Sequence, residues 1–422
     1  MVLHQFFPRH QTGVEVVTRA LARELDKTHQ VTLFYREHNA GGAGPSPPAL
    51  EEERTTVEGL NVVRVRRIGP RPLNPLRVFL DYYYNPDIQA AFERLLDDVK
   101  PDIVHIQHLM YLSAGIIGAT ARRGIPTVLS LHDYWYICPN AQLVRPSGRI
   151  CQGTTFRLRC SACAGAAVGQ PMLLLLSPLL SLLFRHRARY LRRQLAQATV
   201  FLSPSHFLKG VYASRGFPEE RMLVVENGID TSGLVPRRKR SGSAMRFAYL
   251  GSLAWQKGVH TLVRAFNQMP DGAELMIYGD PAVFPAYAER LRGSAEHGGI
   301  HFAGQISHEQ VWQALSETDV LVVPSLWYEN SPTVILEASA AGVPVIASRI
   351  GALAEKVRDG VDGLHFEPGD AADLSKKMLS LAANPASTGA LRSNIRPVAS
   401  VEQQAKEVEL IYRRLLDGKG PA

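Results

Sequence analysis

Two carboxylates, Glu329 and Glu337, frame the stretch ENSPTVILE, with seven uncharged residues between them. The run VLVVPSLWY before it reads as a buried strand and a loop. ASAAGVPVIAS after it reads as a helix end, a turn and another strand. Ser331 suits a helix cap and Pro332 the first helical position, while Gly342 and Pro344 would stop the helix. Glu329 then lies in the loop ahead of the helix and Glu337 about one and a half turns into it. The helix N-terminus between them offers N–H groups and a positive dipole end, which suits a phosphate. A sugar nucleotide laid across that end would set its sugar against one carboxylate and its ribose against the other. On spacing alone, two solvated carboxylates, with Glu329 a mere dipole partner, fit as well.

A second group is the cysteines. Cys138, Cys151, Cys160 and Cys163 fall within 26 residues in the pattern C-x12-C-x8-C-x2-C, and the chain has no others. Four thiolates in such a window could hold a structural zinc or an iron–sulfur cluster, and zinc is the expectation over four ordinary thiols. Disulfides are disfavoured if the chain is cytoplasmic.

The segment PMLLLLSPLLSLLFRHRARYLRRQ follows. No residue from Ala164 to Phe184 is charged. Gln170, Pro171 and Pro178 interrupt it, and a crossing would detach the later strand TVFLSPS from its sheet. The expectation is an interfacial element, with leucines in the bilayer and Arg185, Arg187, Arg189, Arg192 and Arg193 at anionic head groups. A helix buried between domains or in a dimer is the alternative.

These groups need a scaffold. The chain has 422 residues, 45% apolar and 20% charged, which implies two or three globular domains. Strand-like runs occur at VLHQF, VTLFY, NVVRVRR, IVHIQ, TVLSLHD and TVFLSPS, then at MRFAYLGS, ELMIYGD, IHFAGQI, VLVVPS, VPVIAS and GLHFEP. Helical patterns such as EVVTRALAREL, GVHTLVRAFNQM and EQVWQALSET lie between them. Alternating strands and helices predict α/β architecture with two doubly wound parallel sheets. The expected domains are 1–230, with an insertion at about 138–193 and a closing helix at about 400–417, and 244–395. The seam is placed in ENGIDTSGLVPRRKRSGSAM, with RRKR read as a solvated linker run. Ligands in such sheets sit at the carboxyl ends of strands, and the expected site is a cleft between the domains. A net charge of +8 fits phosphate or an anionic membrane as partner. MVLHQFF lacks the look of a secretory signal, so the expected location is cytoplasmic, peripheral on the inner face of the membrane.

The motifs together resemble family 4 of the retaining glycosyltransferases. SLWYENSPTVILEASAAGVPVIAS is similar to its donor-site motif, and FPRHQTGVEVVTRALARELDKTHQVTLF to its N-terminal glycine loop and first helix. LSPSHFLKGVY, VVENGID and YLGSLAWQKGVHTLVRAF agree, so the likeness covers nearly the whole chain. It implies a GT-B fold, two Rossmann-like domains, and metal-independent transfer from a UDP- or GDP-sugar with retention. By the same likeness Glu329 contacts the donor sugar and Glu337 the ribose. Asn330, Ser331, Pro332 and Thr333 form the turn facing sugar and diphosphate, and Lys257 neutralises the leaving diphosphate. Gly13 lets the first loop approach the donor. His132 in LSLHDYW touches the donor sugar, and Gly279 turns near the base. Asp133 is left unassigned, and Glu15 faces the acceptor or serves the helix dipole. Two positions depart from the pattern. Ser252 stands where an Arg is frequent, and Thr12 where a second Gly is. The acceptor implied by the greasy segment is lipid-linked. Rival readings are a catalytically silent GT-B scaffold, a GT-B epimerase, and nucleic-acid binding, which the leucine-rich surroundings disfavour.

Overall fold

Short β-branched runs form strands here because amphipathic helices cover both sheet faces. The computed structural model describes residues 1–7, 13–37, 49–68, 74–153, 158–167, 177–238 and 245–420. Contacts divide the chain into two units, Met1–Gly228 with Val401–Ala422, and Ile229–Ser400.

The first unit holds β1 (Val2–Leu3), β2 (Thr32–Glu37), β3 (Ala49–Val57), β4 (Leu60–Ile68), β5 (Val104–Ile106), β6 (Thr127–Ser130), β7 (Val200–Ser203) and β8 (Met222–Val224). They form one sheet in the order β3-β4-β2-β1-β5-β6-β7-β8. Only β3 runs antiparallel, joined to β4 through Glu58 and Gly59, both at positive φ, as a two-residue hairpin requires. Sequence reading gave no strand at ALEEERTTV, since its glutamates mask the β pattern. In the sheet Glu51 lies opposite Arg66 and Glu53 opposite Arg64, and each pair is bonded. The short β8 was missed as well. The Gly13–Asp26 helix buries Leu21 and Leu25 in one core cluster with Val408, Ile411 and Leu415 of the Val401–Leu416 helix.

The second unit holds β9 (Arg246–Leu250), β10 (Glu274–Tyr278), β11 (Ile300–Gly304), β12 (Val320–Val323), β13 (Val345–Ser348) and β14 (Gly363–Phe366). The order is β11-β10-β9-β12-β13-β14, and the pairings are parallel. The Val259–Phe266 helix buries Val259, Leu262, Val263 and Phe266 on its sheet-facing side. In both sheets the order of the strands turns back in mid-sheet, between β1 and β5 in the first unit and between β9 and β12 in the second, while these pairs remain parallel. Such switch points open a crevice at the strands' carboxyl ends. The loops that leave those ends carry the candidate residues.

Candidate active site

In the second unit the loop after β9 is pinned to the loop after β12. Gly258 sits at φ +71°, and a Cβ there would lie 1.8 Å from the Pro324 carbonyl oxygen. The Leu326 N–H donates to the Gln256 carbonyl at 2.8 Å. This stitching sets Lys257 Nζ 2.8 Å from Glu329 Oε1. The same oxygen accepts from Ser325 Oγ at 2.7 Å and Trp327 Nε1 at 2.8 Å. Three donors on one oxygen fix the carboxylate in a single orientation. Lys257 also lies over the Trp327 ring, 5.5 Å from its centroid.

The helix between the two glutamates is Thr333–Ala340, one residue later than the sequence suggested. Pro332 is its N-cap, in extended conformation, and the helix has no side-chain cap. This corrects Ser331 as the cap. Its Oγ is buried and makes no hydrogen bond among the described residues. Glu329 and Asn330 are buried in the loop ahead, and Glu337 is buried inside the helix. Burial pushes the Glu337 carboxyl up to about 7, with His308 Nδ1 3.7 Å from its Oε1. Gly342 at φ +66° ends the helix as expected.

Ser252 lies in the loop after β9, where its carbonyl accepts from Tyr249 Oη at 2.8 Å. Gly279 follows β10. A Cβ there would meet the Gly251 carbonyl oxygen at 2.3 Å, so close approach of two strand ends already demands glycine. The RRKR run is only partly described. Arg237 pairs with Asp319 and Arg238 with Glu317, and both arginines are exposed, in keeping with a solvated run.

In the first unit the polar residues at the ends of β1, β5 and β6 join hands without a charged pair at the centre. His132 Nε2 lies 2.7 Å from Gln107 Oε1. Gln107 Nε2 lies 3.1 Å from His105 Nε2, and His105 also meets Ser130 Oγ at 2.8 Å and Tyr412 Oη at 2.5 Å. A cavity of about 10 Å³, the size of one water, touches His105, Gln107, Ser130 and His132. Beside this chain, His108 Nε2 lies 3.1 Å from Asp133 Oδ2, and the His4 and His108 rings meet at a tilt of 54° with centroids 4.5 Å apart. His4 Nε2 is 3.6 Å from Glu15, which is fully buried. Glu15 stands in the first turn of its helix, where its carboxyl also suits the helix dipole. Asp133 Oδ1 accepts from the Trp135 N–H at 2.7 Å, a local cap for the next turn. Sequence reading missed His105, Gln107, His108 and Tyr412. The signal was the alternation His105, Gln107 at the end of IVHIQ, two polar residues where a buried strand ends.

Gly13 opens the first helix, and no described atom lies within 4 Å of the place of a Cβ. Packing of the described residues does not demand glycine there. Thr12 lies outside the described residues.

Cys138 and Cys151 flank a small bridge between Val144 and Ile150, and Cys160 and Cys163 lie on the Leu158–Ala167 helix. Burial first, then the charges of Cys138, Cys160 and Cys151, pushes the Cys163 thiol up to about 11. The four thiols thus share a neighbourhood. Yet no three His, Cys, Asp or Glu side chains among the described residues form a metal-binding group. Cys138 Sγ instead donates to Asn140 Oδ1 at 2.6 Å. The expected zinc or iron–sulfur set is not assembled in this geometry.

Residues 168–176 of the greasy run lie outside the described residues. The remainder forms the Ser177–Leu195 helix, and no described helix is long and apolar enough to cross a membrane. Arg187 corrects the expectation of a head-group contact. It is 1% exposed, donates to the Trp135 carbonyl at 2.7 Å, and stands over the Trp135 ring at 5.0 Å.

The chain resembles known proteins in sequence and in fold. A family model described as Glycosyltransferase Family 4 matches residues 11–232, and one described as Glycosyl transferases group 1 matches residues 244–384. Glycogen synthase from Mycobacterium tuberculosis is 33% identical over 170 residues, 39% of this chain and 41% of that protein. The match thus spans about two fifths of that relative's length. An uncharacterized 42.6 kDa protein in the cps region of Klebsiella pneumoniae is 21% identical over 365 residues, 84% of this chain and 85% of that protein. Sucrose-phosphate synthase from Thermosynechococcus elongatus has the same fold, with a TM-score of 0.67 at 20% identity, covering 97% of this chain and 94% of that one. Anabaena HepE, solved with UDP and glucose, gives 0.66 at 15% identity over 97% of both chains.

Proposed function

The chain belongs to glycosyltransferase family 4, with the GT-B fold of two Rossmann-like units, and from that premise we propose that it transfers a sugar from a UDP- or GDP-sugar to a glycan hydroxyl with retention. The observation that carries this is the Lys257–Glu329 pair at 2.8 Å, set at the switch point beside the N-terminus of the Thr333–Ala340 helix. In this reading the N–H groups of that helix and Lys257 bind the diphosphate. Glu329 holds the donor sugar, Glu337 the ribose hydroxyls, and Ser331 Oγ gains a partner from the ligand. The bond between the anomeric carbon and the diphosphate oxygen breaks. The acceptor oxygen bonds to that carbon on the same face, and its proton passes to the departing phosphate. Lys257 stabilises the charge that gathers on the leaving group, without a metal ion. HepE, solved with UDP and glucose, supports a nucleotide-sugar donor.

The acceptor in this reading is lipid-linked and reached from an anionic membrane surface. The Ser177–Leu195 helix carries no acidic residue. It exposes Leu179 and Leu182, then Arg185, Arg189, Arg192 and Arg193. Phe184 on its inner side meets Phe79 of the Pro75–Asp81 helix at 5.4 Å, and that helix exposes Leu76 and Val78. Apolar residues beside arginines suit a bilayer with anionic head groups.

The test is nucleotide release from a panel of UDP- and GDP-sugars with membrane lipid extract as acceptor. Release from one donor, dependent on lipid and lost in Glu329→Ala and Lys257→Ala, supports the reading. The anomeric configuration of the product checks retention. Absence of release, with no nucleotide-induced rise in melting temperature, would leave a silent scaffold. Sedimentation with anionic and with neutral vesicles checks the surface, and Leu179→Asp with Leu182→Asp should abolish the anionic preference.

A further inference from the structure

Trp327 touches both charged groups of the second unit. Its Nε1–H donates to Glu329 Oε1 at 2.8 Å, and Lys257 Nζ lies over its ring, 5.5 Å from the centroid. An indole offers two different contacts, a polarised N–H at its edge and a negative π face. Here the edge meets the anion and the face meets the cation of one ion pair. The backbone that carries Trp327 is held on two sides. On one side the Leu326 N–H donates to the Gln256 carbonyl at 2.8 Å, in the loop of Lys257. On the other the Ala352 N–H donates to the Glu329 carbonyl at 3.3 Å, and a Cβ on Gly351 would meet Tyr328 Cα at 3.2 Å. Trp327 is half-buried, and Ser325, the third donor to Glu329, is buried.

The ion pair alone would not set the site. A lysine is a point charge on a flexible stem, and a carboxylate held only by it can still turn about its own bond. The indole N–H can only donate, and Ser325 Oγ donates to the same oxygen, so the two together remove that freedom. Oε1 is thereby filled. Among the described residues Oε2 accepts no hydrogen bond, and it is not sealed from solvent. The ammonium in turn has three donors and gives one to Glu329, which leaves two for phosphate oxygens. We propose that Trp327 is a positioning residue of the transfer site. Its N–H fixes Glu329 so that Oε2 is left for the donor sugar, and its ring keeps the Lys257 ammonium beside that carboxylate for the diphosphate. The proposal rests on the transferase reading for what the pair touches, and on contacts within the second unit alone for how the pair is held.

The experiment joins 1H–15N spectroscopy of the indole N–H groups with steady-state kinetics, both on the full chain. The chain has four tryptophans, and the indole signal lost in Trp327→Phe is that of Trp327. Glu329→Ala removes the acceptor of that N–H and should move the signal upfield. Ser325→Ala leaves the indole in place and takes one donor from the shared oxygen, so it should shift the same signal. It keeps the test open where the phenylalanine variant fails to fold. Trp327→Phe leaves an aromatic face for Lys257 and loses only the N–H. It should lower kcat by about tenfold, with donor KM within about twofold of wild type. In a Glu329→Ala background the same substitution should change kcat by less than about twofold, because the N–H then has nothing to hold. A Trp327 signal that Glu329→Ala leaves unmoved overturns the proposal. So does a kcat that Trp327→Phe leaves unchanged, or a loss that is as large in the Glu329→Ala background as in the wild type. A signal that responds to Glu329→Ala and Ser325→Ala in a protein that turns over no donor supports the positioning role and removes the transferase reading instead.

Discussion

The two units hold their candidate residues by opposite means. In the second unit a cation and a carboxylate meet at 2.8 Å, and a glycine that tolerates no Cβ clamps the loop beneath them. In the first unit the centre is a neutral chain of imidazole, amide and phenol. Charged groups suit the binding of a diphosphate and the charge that develops on it. Neutral groups of fixed polarity suit hydroxyls, which need one defined donor or acceptor each. The contrast is between residues held by a charge pair and residues held by neutral polar groups.

The largest effects should come from breaking the charged half. Glu329→Ala removes the acceptor of three donors, from Lys257, Ser325 and Trp327. The expected outcome is a fall in turnover of about a hundredfold or more, with a stability loss of about 1–3 kcal/mol from the stranded donors. Steady-state kinetics and denaturant titration check the two parts separately. Lys257→Ala should lower turnover by about a hundredfold, with a smaller loss of stability because Glu329 keeps two donors. Equal losses of stability in both variants would show that the pair serves mainly the fold.

The same contrast explains what was legible in the sequence. Glu329, Asn330, Ser331 and Glu337 lie within one short run, so spacing marked them as candidates, while the family likeness and not the spacing suggested their roles. The strand–helix alternation likewise gave two parallel sheets, because burial on both faces leaves unbroken apolar runs such as VLVV in β12. The neutral chain was illegible because its members come from β5, β6 and the last helix. No local pattern links Tyr412 to His105. Strand β3 escaped for a different reason. Its glutamates look like a solvated run until Arg64 and Arg66 stand opposite them. Arg187 reads as one more basic residue of a surface helix, and only the fold shows it enclosed by Tyr82, Tyr83 and Trp135.

Glu337 sharpens the comparison through pH, since it is a charged group placed in a setting that resists charge. Its carboxyl is raised from 4.5 to about 7 by burial. A raised carboxyl contributes stability that is full below about pH 4.5 and lost as pH rises through about 7. Without nucleotide, the wild type should therefore lose about 2.5 kcal/mol between pH 5 and pH 8 from this group alone. Glu337→Gln should flatten that slope in denaturant titrations at the two pH values. It should also weaken nucleotide binding by about tenfold at pH 8, where the carboxylate would accept both ribose hydroxyls. A slope that survives the substitution would assign the pH dependence to another group.

The last comparison is between two glycines that look alike in sequence and differ in the fold, and the smallest effect of all is expected at Gly13. Gly258→Ala forces a Cβ to within 1.8 Å of the Pro324 carbonyl oxygen at a left-handed φ of +71°. Stability should fall by about 2 kcal/mol, and activity should fall with it, because the Lys257 loop must shift. Gly13→Ala meets no described atom within 4 Å and stands at the start of a helix. There the added methyl should leave stability unchanged or raise it by about 0.5 kcal/mol. If Gly13→Ala nevertheless raises donor KM, the space above Gly13 is filled by the ligand's approach and not by protein. If KM and stability both stay constant, the glycine at the first loop has no part in donor binding.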